Sequence, residues 1–218
     1  MDYFIIGDVH GCYHTLCRML ENWNPQNEHL IFVGDLIDRG NFSSQCIKKC
    51  MELDAAYGNV TILKGNHEAE LIQYFENGSN ENWIRQVGKK TLADLEAHEL
   101  KKELLLPWLR RRPLKFETDN ILVTHAGISA VGNPYHEEHG DSVLWNRKPI
   151  INIGKLQVHG HTPLMKNSPE FNMDARSWNI DTAAAYGYSL TGLKISEAGE
   201  ILGEVITETD PADIARPN

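Results

Sequence analysis

The sequence predicts an α/β layered fold, and three observations lead to it. Short apolar, β-prone runs recur along the chain, each breaking off in Gly, Asp, Asn or His. Helical periods follow several of those breaks, and strands alternating with helices build layered sheets. The composition is that of a globular domain, with 41% hydrophobic and 23% charged residues over 218 positions, a length suited to one domain or one domain with an insert.

Tyr3 to Ile6 is the first run, ending in Gly7-Asp8-Val9-His10-Gly11. Leu16, Met19, Leu20 and Trp23 then fall at i, i+3, i+4 and i+7, one apolar helix face. Leu30 to Val33 runs into Gly34-Asp35. Ser43 or Ser44 can cap a second helix, which carries Ile47, Cys50 and Met51 and ends near Gly58. Val60 to Leu63, with Lys64, breaks at Gly65-Asn66-His67-Glu68. Residues 69 to about 115 read as a helical insert beside the site: Leu71, Ile72 and Phe75 continue a helix, 77–80 form a loop, and helical sequence resumes up to Pro107 and Pro113. Ile121 to Val123 leads to Thr124-His125-Ala126-Gly127, and Leu156 to Val158 leads to His159-Gly160-His161. Ser189 to Ile195 and Ile201 to Thr207, joined by a turn at 197–200, form a hairpin. The chain is then polar, and about 208–218 is expected to be a loose tail on a single domain spanning 1–218.

Charge and composition exclude several functions. A net charge of −9 repels a nucleic-acid backbone. No apolar stretch approaches the ~18 residues of a membrane span. The N-terminus has no signal-peptide pattern, so the expected location is the cytoplasm. Cys12, Cys17, Cys46 and Cys50 contain no Cys-x-x-Cys pair and read as buried reduced thiols. Nothing in the sequence specifies an oligomeric state.

Ligands gather at the carboxyl ends of strands in folds of this kind. Those ends supply Asp8, His10, Asp35, Asn66, His125 and His161, the carboxylate, amide and imidazole groups that divalent metals choose. An Asp35 oxygen can bridge two ions, leaving Asp8 and His10 for one metal and Asn66, His125 and His161 for the other. Two ions roughly 3.5–4 Å apart generate hydroxide and neutralise a displaced phosphoryl group. Each motif alone is weak; five strand ends sharing one chemistry are not an accident of loop composition.

Gly7-Asp8-Val9-His10-Gly11, Gly34-Asp35-Leu36-Ile37-Asp38-Arg39-Gly40 and Gly65-Asn66-His67-Glu68, followed by His125-Ala126-Gly127 and His159-Gly160-His161-Thr162, resemble the calcineurin-like metallophosphoesterase superfamily. Within it the chain is similar to the PPP-type serine/threonine protein phosphatases of the compact bacterial and bacteriophage lambda branch, over roughly residues 4 to 195. The resemblance implies a four-layer fold, two β-sheets packed face to face and flanked by helices. It implies two divalent ions, commonly manganese, with iron, zinc or nickel as alternatives. It makes Asp8, His10 and the bridging Asp35 first-metal ligands, and Asp35, Asn66, His125 and His161 second-metal ligands. His67 resembles the general acid, held by Asp38. Arg39 and Arg147 resemble the arginines that grip phosphate, with Asn66 beside them. The reaction implied is attack of a metal-bridging hydroxide on phosphoserine or phosphothreonine, with phosphotyrosine a further substrate.

Other residues take plainer readings. His14, His29 and His98 are expected to be solvated, His159 structural, and His136 and His139 part of a rim loop; Arg110-Arg111-Arg112 reads as a solvated face. Two positions depart from the family pattern: Asn41 replaces a proline and Ala183 a glycine. A dinucleoside tetraphosphate hydrolase uses the same metal core. Symmetrically cleaving relatives lack the Asp of Asp-Arg-Gly, carry Asp after Asn-His and have extra C-terminal length, so Asp38 and Glu68 favour the phosphatase. A non-catalytic phosphopeptide-binding scaffold would have lost a ligand or the acid, and all are present here.

Overall fold

Both faces of the first strand are buried, which is why Tyr3-Phe4-Ile5-Ile6 reads as an unbroken apolar run and not as an alternation. Phe4 and Ile6 pack toward helices, whereas Tyr3 and Ile5 pack toward a second sheet. The structure, a computed structural model, describes residues 1–214. Strands β1 (Asp2–Ile6), β2 (Glu28–Phe32) and β3 (Val60–Ile62) alternate with helices α1 (Tyr13–Leu20), α2 (Ser43–Ala56) and α3 (Asn66–Asn77). A short α4 (Glu81–Trp83), a π turn over Ile84–Gly88 and α5 (Lys89–Ala97) form one continuous helical segment, and α6 (Lys102–Arg110) follows. The chain then makes β4 (Lys115–Glu117), β5 (Ile121–Thr124), β6 (Leu156–His159), β7 (Glu170–Asn172), β8 (Ser177–Asn179) and the hairpin β9 (Ser189–Ile195) and β10 (Ile201–Glu208).

One sheet has the order β10-β9-β1-β2-β3 and the other β4-β5-β6-β8-β7. In the first, β1, β2 and β3 run parallel and β9 joins β1 antiparallel, with Tyr3 opposite Ile195. In the second, β5, β6 and β8 run parallel between antiparallel edges. Ile31, Val33 and Leu63 of the first sheet meet Val123, Val158 and Ile180 of the second in an apolar layer. Leu16, Met19, Ile47, Cys50 and Leu71 pack as the helical layer against Phe4, Leu30 and Phe32. Each fully buried side chain of this size contributes about 1.5–3 kcal/mol. The outer face of the second sheet is covered by irregular chain, residues 125–155, through Ile128 and Val143 against Leu122. No helix of the described residues is long and apolar enough to cross a membrane.

Several sequence expectations need correcting. The segment after Glu208 is not loose as far as Ile214. Asp213 is fully buried, and its carboxylate accepts from the His14 and Thr15 backbone N–H groups (2.9 and 2.8 Å) and the Thr15 hydroxyl (2.6 Å). It thereby satisfies the free donors at the start of α1, where Cys12 offers no side-chain cap. Residues 215–218 lie outside the described residues. Neither Ser43 nor Ser44 caps α2: Ser43 Oγ accepts from Asp38 N–H (3.0 Å), and Asp94 of α5 takes the Ser44 N–H (2.7 Å). Arg112 is not solvated, but buried against the Trp108 ring (4.3 Å) and paired with Asp54 (3.0 Å). His29 is half-buried and bonded to Thr61 Oγ1 (2.8 Å).

Candidate metal centre and cleft

The break after each strand is where the chain turns sharply, and the turns use unusual backbone. His10, Asp35, Asp38, Arg39 and His161 all have φ between +45° and +72°, the left-handed region that costs a side-chain-bearing residue roughly 1–3 kcal/mol. Five candidate site residues in this conformation mean that the fold holds the site's backbone in place against its own preference. Ala183 is likewise left-handed at φ 59°, which explains why a glycine would suit that position better. Gly160 is required for another reason: a Cβ there would overlap the Asp8 carboxylate. Gly65 is in the same position against Asp35.

The turns bring the ligand-type residues together in two triplets, His10–Asp35–His67 and Asp35–His125–His161. Asp35 belongs to both. Its Oδ2 lies 3.5 Å from His10 Nε2, 3.4 Å from His125 Nε2 and 3.9 Å from His67 Nε2. Asn66 Oδ1 joins the second triplet at 2.9 Å from both His125 Nε2 and His161 Nδ1, which are 3.2 Å from each other. Asp8 lies outside both triplets; its Oδ2 accepts from the His161 backbone N–H (3.0 Å), while its Oδ1 is buried and has no partner among the described residues.

Hydrogen bonds on the far side of the rings decide what faces the centre. His10 Nδ1 donates to the Ile37 carbonyl (2.8 Å) and His125 Nδ1 to the Val33 carbonyl (3.1 Å). That leaves the His10 Nε2 lone pair facing the Arg39 guanidinium as well as Asp35 oxygen, and the His125 Nε2 lone pair facing only the Asp35 and Asn66 oxygens and the His161 ring. Acceptors facing acceptors in a buried space repel unless a cation lies among them, and a ring N–H tied to a carbonyl is how ligating histidines are oriented. Among the described residues His161 Nε2 has no hydrogen-bond partner. The donor set therefore fits divalent cations.

Titration behaviour divides the same residues. Burial pushes the His10, His125 and His161 rings toward the neutral form, His161 down to about 2, and neutral imidazole is the ligating form. Burial raises Asp35, but positive charge placed among the His125, His67, His10 and His161 rings outweighs it and holds the carboxyl low, so Asp35 stays ionised where a cation or the charged His67 faces it. Burial, then Asp181 and Asp35, push Asp8 up. His67 goes the other way. Burial opposes its charge, yet Asp35 and the Asp38 hydrogen bond raise it above an ordinary histidine.

Asp38 is itself anchored. It is fully buried, accepting from His67 Nδ1 (2.5 Å), from Trp83 Nε1 (2.7 Å) and from the Thr91 hydroxyl. Trp83 and Thr91 belong to the helical segment 81–97, so the insert forms a wall of the site. Sequence reasoning missed both, since they lie 45 and 53 residues from their partner with no local pattern. It also missed what Glu68 does: the carboxylate accepts from the Gly65, Asp35 and Leu36 N–H groups (2.8–2.9 Å), fixing the Asp35 turn to α3. Burial and Asp35 push Glu68 up to about 7.

A cleft of about 480 Å³ opens over the triplets, walled by Arg39, His67, Trp83, Trp145, Arg147 and Tyr186. The Arg39 guanidinium touches His10 Nε2 and lies 5.7 Å over the Tyr186 ring; Arg147 is exposed at the cleft wall. His159 is buried with Nδ1 on its neighbour's carbonyl (3.2 Å) and belongs to neither triplet.

The serine/threonine-protein phosphatase 1 of Salmonella typhimurium is 28% identical over 207 residues, 88% of this chain and 91% of its own length. The asymmetrical bis(5'-nucleosyl)-tetraphosphatase PrpE of Bacillus cereus is 31% identical over 232 aligned positions, covering 90% of this chain and 92% of that one. A protein serine/threonine phosphatase from Saccharomyces cerevisiae superposes with a TM-score of 0.68 at 14% identity, over 100% of this chain and 82% of that one, a likeness of fold. The family model described as calcineurin-like phosphoesterase matches residues 1–183. That span carries every ligand-type residue of both triplets, and the chain belongs to the calcineurin-like phosphoesterase family.

Proposed function

We propose that the protein is a metal-dependent phosphoprotein phosphatase acting on phosphoserine and phosphothreonine, and on phosphotyrosine as a further substrate. The observation that carries this reading is the His67–Asp38 pair. A serine leaves as a strongly basic alkoxide and needs a proton, whereas a nucleotide leaves on a phosphate group whose conjugate acid has a pKa of about 6 and needs little help. An imidazole with its charge favoured by a buried carboxylate, at the mouth of the centre, answers the first need and not the second.

His10, His125, His161, Asp35, Asn66 and Asp8 would hold two divalent ions, manganese by preference. Such ions neutralise phosphoryl oxygens and lower the pKa of water. The chain's own residues do the rest. Arg39 and Arg147 bind the phosphate oxygens in the cleft with charged, forked donors. His67 delivers its Nε2 proton to the leaving oxygen, while Asp38 holds Nδ1–H and favours the imidazolium beforehand. Trp83 and Thr91 keep Asp38 from turning away.

The named relatives divide between protein phosphatases and dinucleoside tetraphosphatases, which makes the tetraphosphatase the second reading. The deciding experiment compares kcat/KM on a phosphopeptide panel with that on diadenosine tetraphosphate, after chelation and readdition of single metals. Faster turnover of the dinucleotide overturns the phosphatase reading.

A further inference from the structure

The helical wall that holds Asp38 also borders a second depression. Trp83 packs its indole where a side chain on Gly88 would be, at the end of the π turn over Ile84–Gly88. Such turns often mark functional positions. Beyond the turn lies a trough of about 740 Å³ whose cations are Arg39, Arg85, Lys89 and Lys90 and whose apolar residues are Ile84, Val87 and Ala93. Among the described residues no carboxylate lines it, in a chain whose net charge is −9. Arg39, Gln86 and Val87 line both trough and cleft, so the two are continuous.

Surface cations elsewhere in the chain are often neutralised, as in Arg110–Glu76, Lys148–Asp141, Lys155–Glu117 and Lys194–Glu28. Arg85 and Lys89 are exposed, and among the described residues neither has an ion pair or a side-chain hydrogen bond. Lys90 is spent on the Arg39 carbonyl (3.1 Å) and Asn41 Oδ1 (2.8 Å), within the field of Asp94. Asp94 itself accepts from Ser44 N–H and His98. Glu70 lines the cleft and not the trough.

We propose that this trough is a substrate subsite that receives the acidic side chains flanking a phosphorylated residue. The apolar patches of Ile84, Val87 and Ala93 suit the methylene and backbone of a peptide better than a chain of hydrated phosphates. The proposal rests on the phosphoprotein phosphatase reading above.

The test uses phosphopeptides identical except for an Asp/Glu, Ala or Lys flank, with p-nitrophenyl phosphate as the flank-free control. The wild type prefers the acidic flank over the neutral one by roughly tenfold in kcat/KM at low salt, less as salt rises. The double variant Arg85→Glu, Lys89→Glu loses or inverts that preference while hydrolysing p-nitrophenyl phosphate as before. Equal kcat/KM on all flanks in the wild type overturns the proposal, as does a preference that survives charge reversal. If no phosphopeptide is hydrolysed, the phosphatase reading fails, and the trough is read separately from inhibition of p-nitrophenyl phosphate turnover by unphosphorylated acidic peptides. Inhibition that the double variant loses supports an acidic-peptide site; no inhibition by such peptides, or inhibition unchanged in the variant, overturns it.

Discussion

His67 Nδ1 stands 2.5 Å from Asp38 Oδ2, while its Nε2 faces Asp35 Oδ2 at 3.9 Å. One ring nitrogen is committed to a buried carboxylate and the other is left to the reacting group. If that second nitrogen donates a proton, the value of His67 depends on how basic the leaving oxygen is. His67→Asn is expected to lose on the order of 10²–10⁴-fold on phosphoserine. The loss should be smaller on phosphotyrosine, whose leaving phenol has a pKa of about 10, and smallest on p-nitrophenyl phosphate. Asp38→Asn should show the same ranking more mildly. Steady-state rates on the three substrates, with metal content measured in each variant, decide it. Equal losses with both metals retained would assign His67 to phosphate positioning.

Asp35 lies within reach of both triplets, whereas His161 belongs to one. Asp35→Asn removes the charge that two dications would share and should weaken both sites, and His161→Ala should empty mainly one. Metal per chain after extensive dialysis separates the two outcomes. Two tightly held ions in Asp35→Asn would refute the bridging role.

Chelation should abolish turnover, and manganese should restore it better than magnesium. His10, His125 and His161 offer nitrogen ligands, which magnesium accepts poorly. Activity assays on chelated protein with one metal added back give the answer; full activity in thoroughly metal-free protein would count against the whole site.

Removing Arg39 or Arg147 takes away charged hydrogen bonds worth about 1.5–3 kcal/mol each. Inhibition by free phosphate should weaken accordingly while metal content stays constant. Phosphate inhibition constants for Arg39→Ala and Arg147→Ala test this, and unchanged values in both would place the anion elsewhere.

Asp213 caps α1 and its backbone oxygen accepts the Asn41 N–H (2.8 Å), beside the turn that carries Arg39. Asp213→Ala should cost about 1–3 kcal/mol of stability, because buried N–H groups lose a charged acceptor. Urea unfolding of the metal-free protein measures it. A loss near zero would mean that water replaces the carboxylate there.

What was legible in the sequence followed from side-chain type and short range. β1, β5 and β6 were found because each run is buried almost throughout and stops at a polar turn, and β2 and β3 because their buried ends, Leu30 to Phe32 and Ile62, run into such turns. The residues of both triplets were found because those turns carry them. β4, β7 and β8 escaped notice because they are three residues long, mostly polar, and exposed or half-exposed over much of their length. Trp83, Thr91 and Asp213 were invisible because each acts across a long stretch of chain, on Asp38 or on the start of α1. The left-handed backbone at His10, Asp35 and His161 could not be read either, since nothing but the surrounding fold imposes it on residues that resist it.

β1 carries Asp8 on its outgoing end and is flanked by β2 on one side and β9 on the other. During translation those neighbours arrive very far apart in time. β2 can pair as soon as it leaves the ribosome, but β9 starts at Ser189, after all six ligand-type residues have already emerged. Until then the nascent chain presents a bare, apolar strand edge beside a half-built cluster of acceptors, an invitation to mispairing and chaperone capture. Emergence of β9 is therefore the step that seals the edge, and a chain truncated before Ser189 would carry every ligand-type residue with no strand on that side of β1.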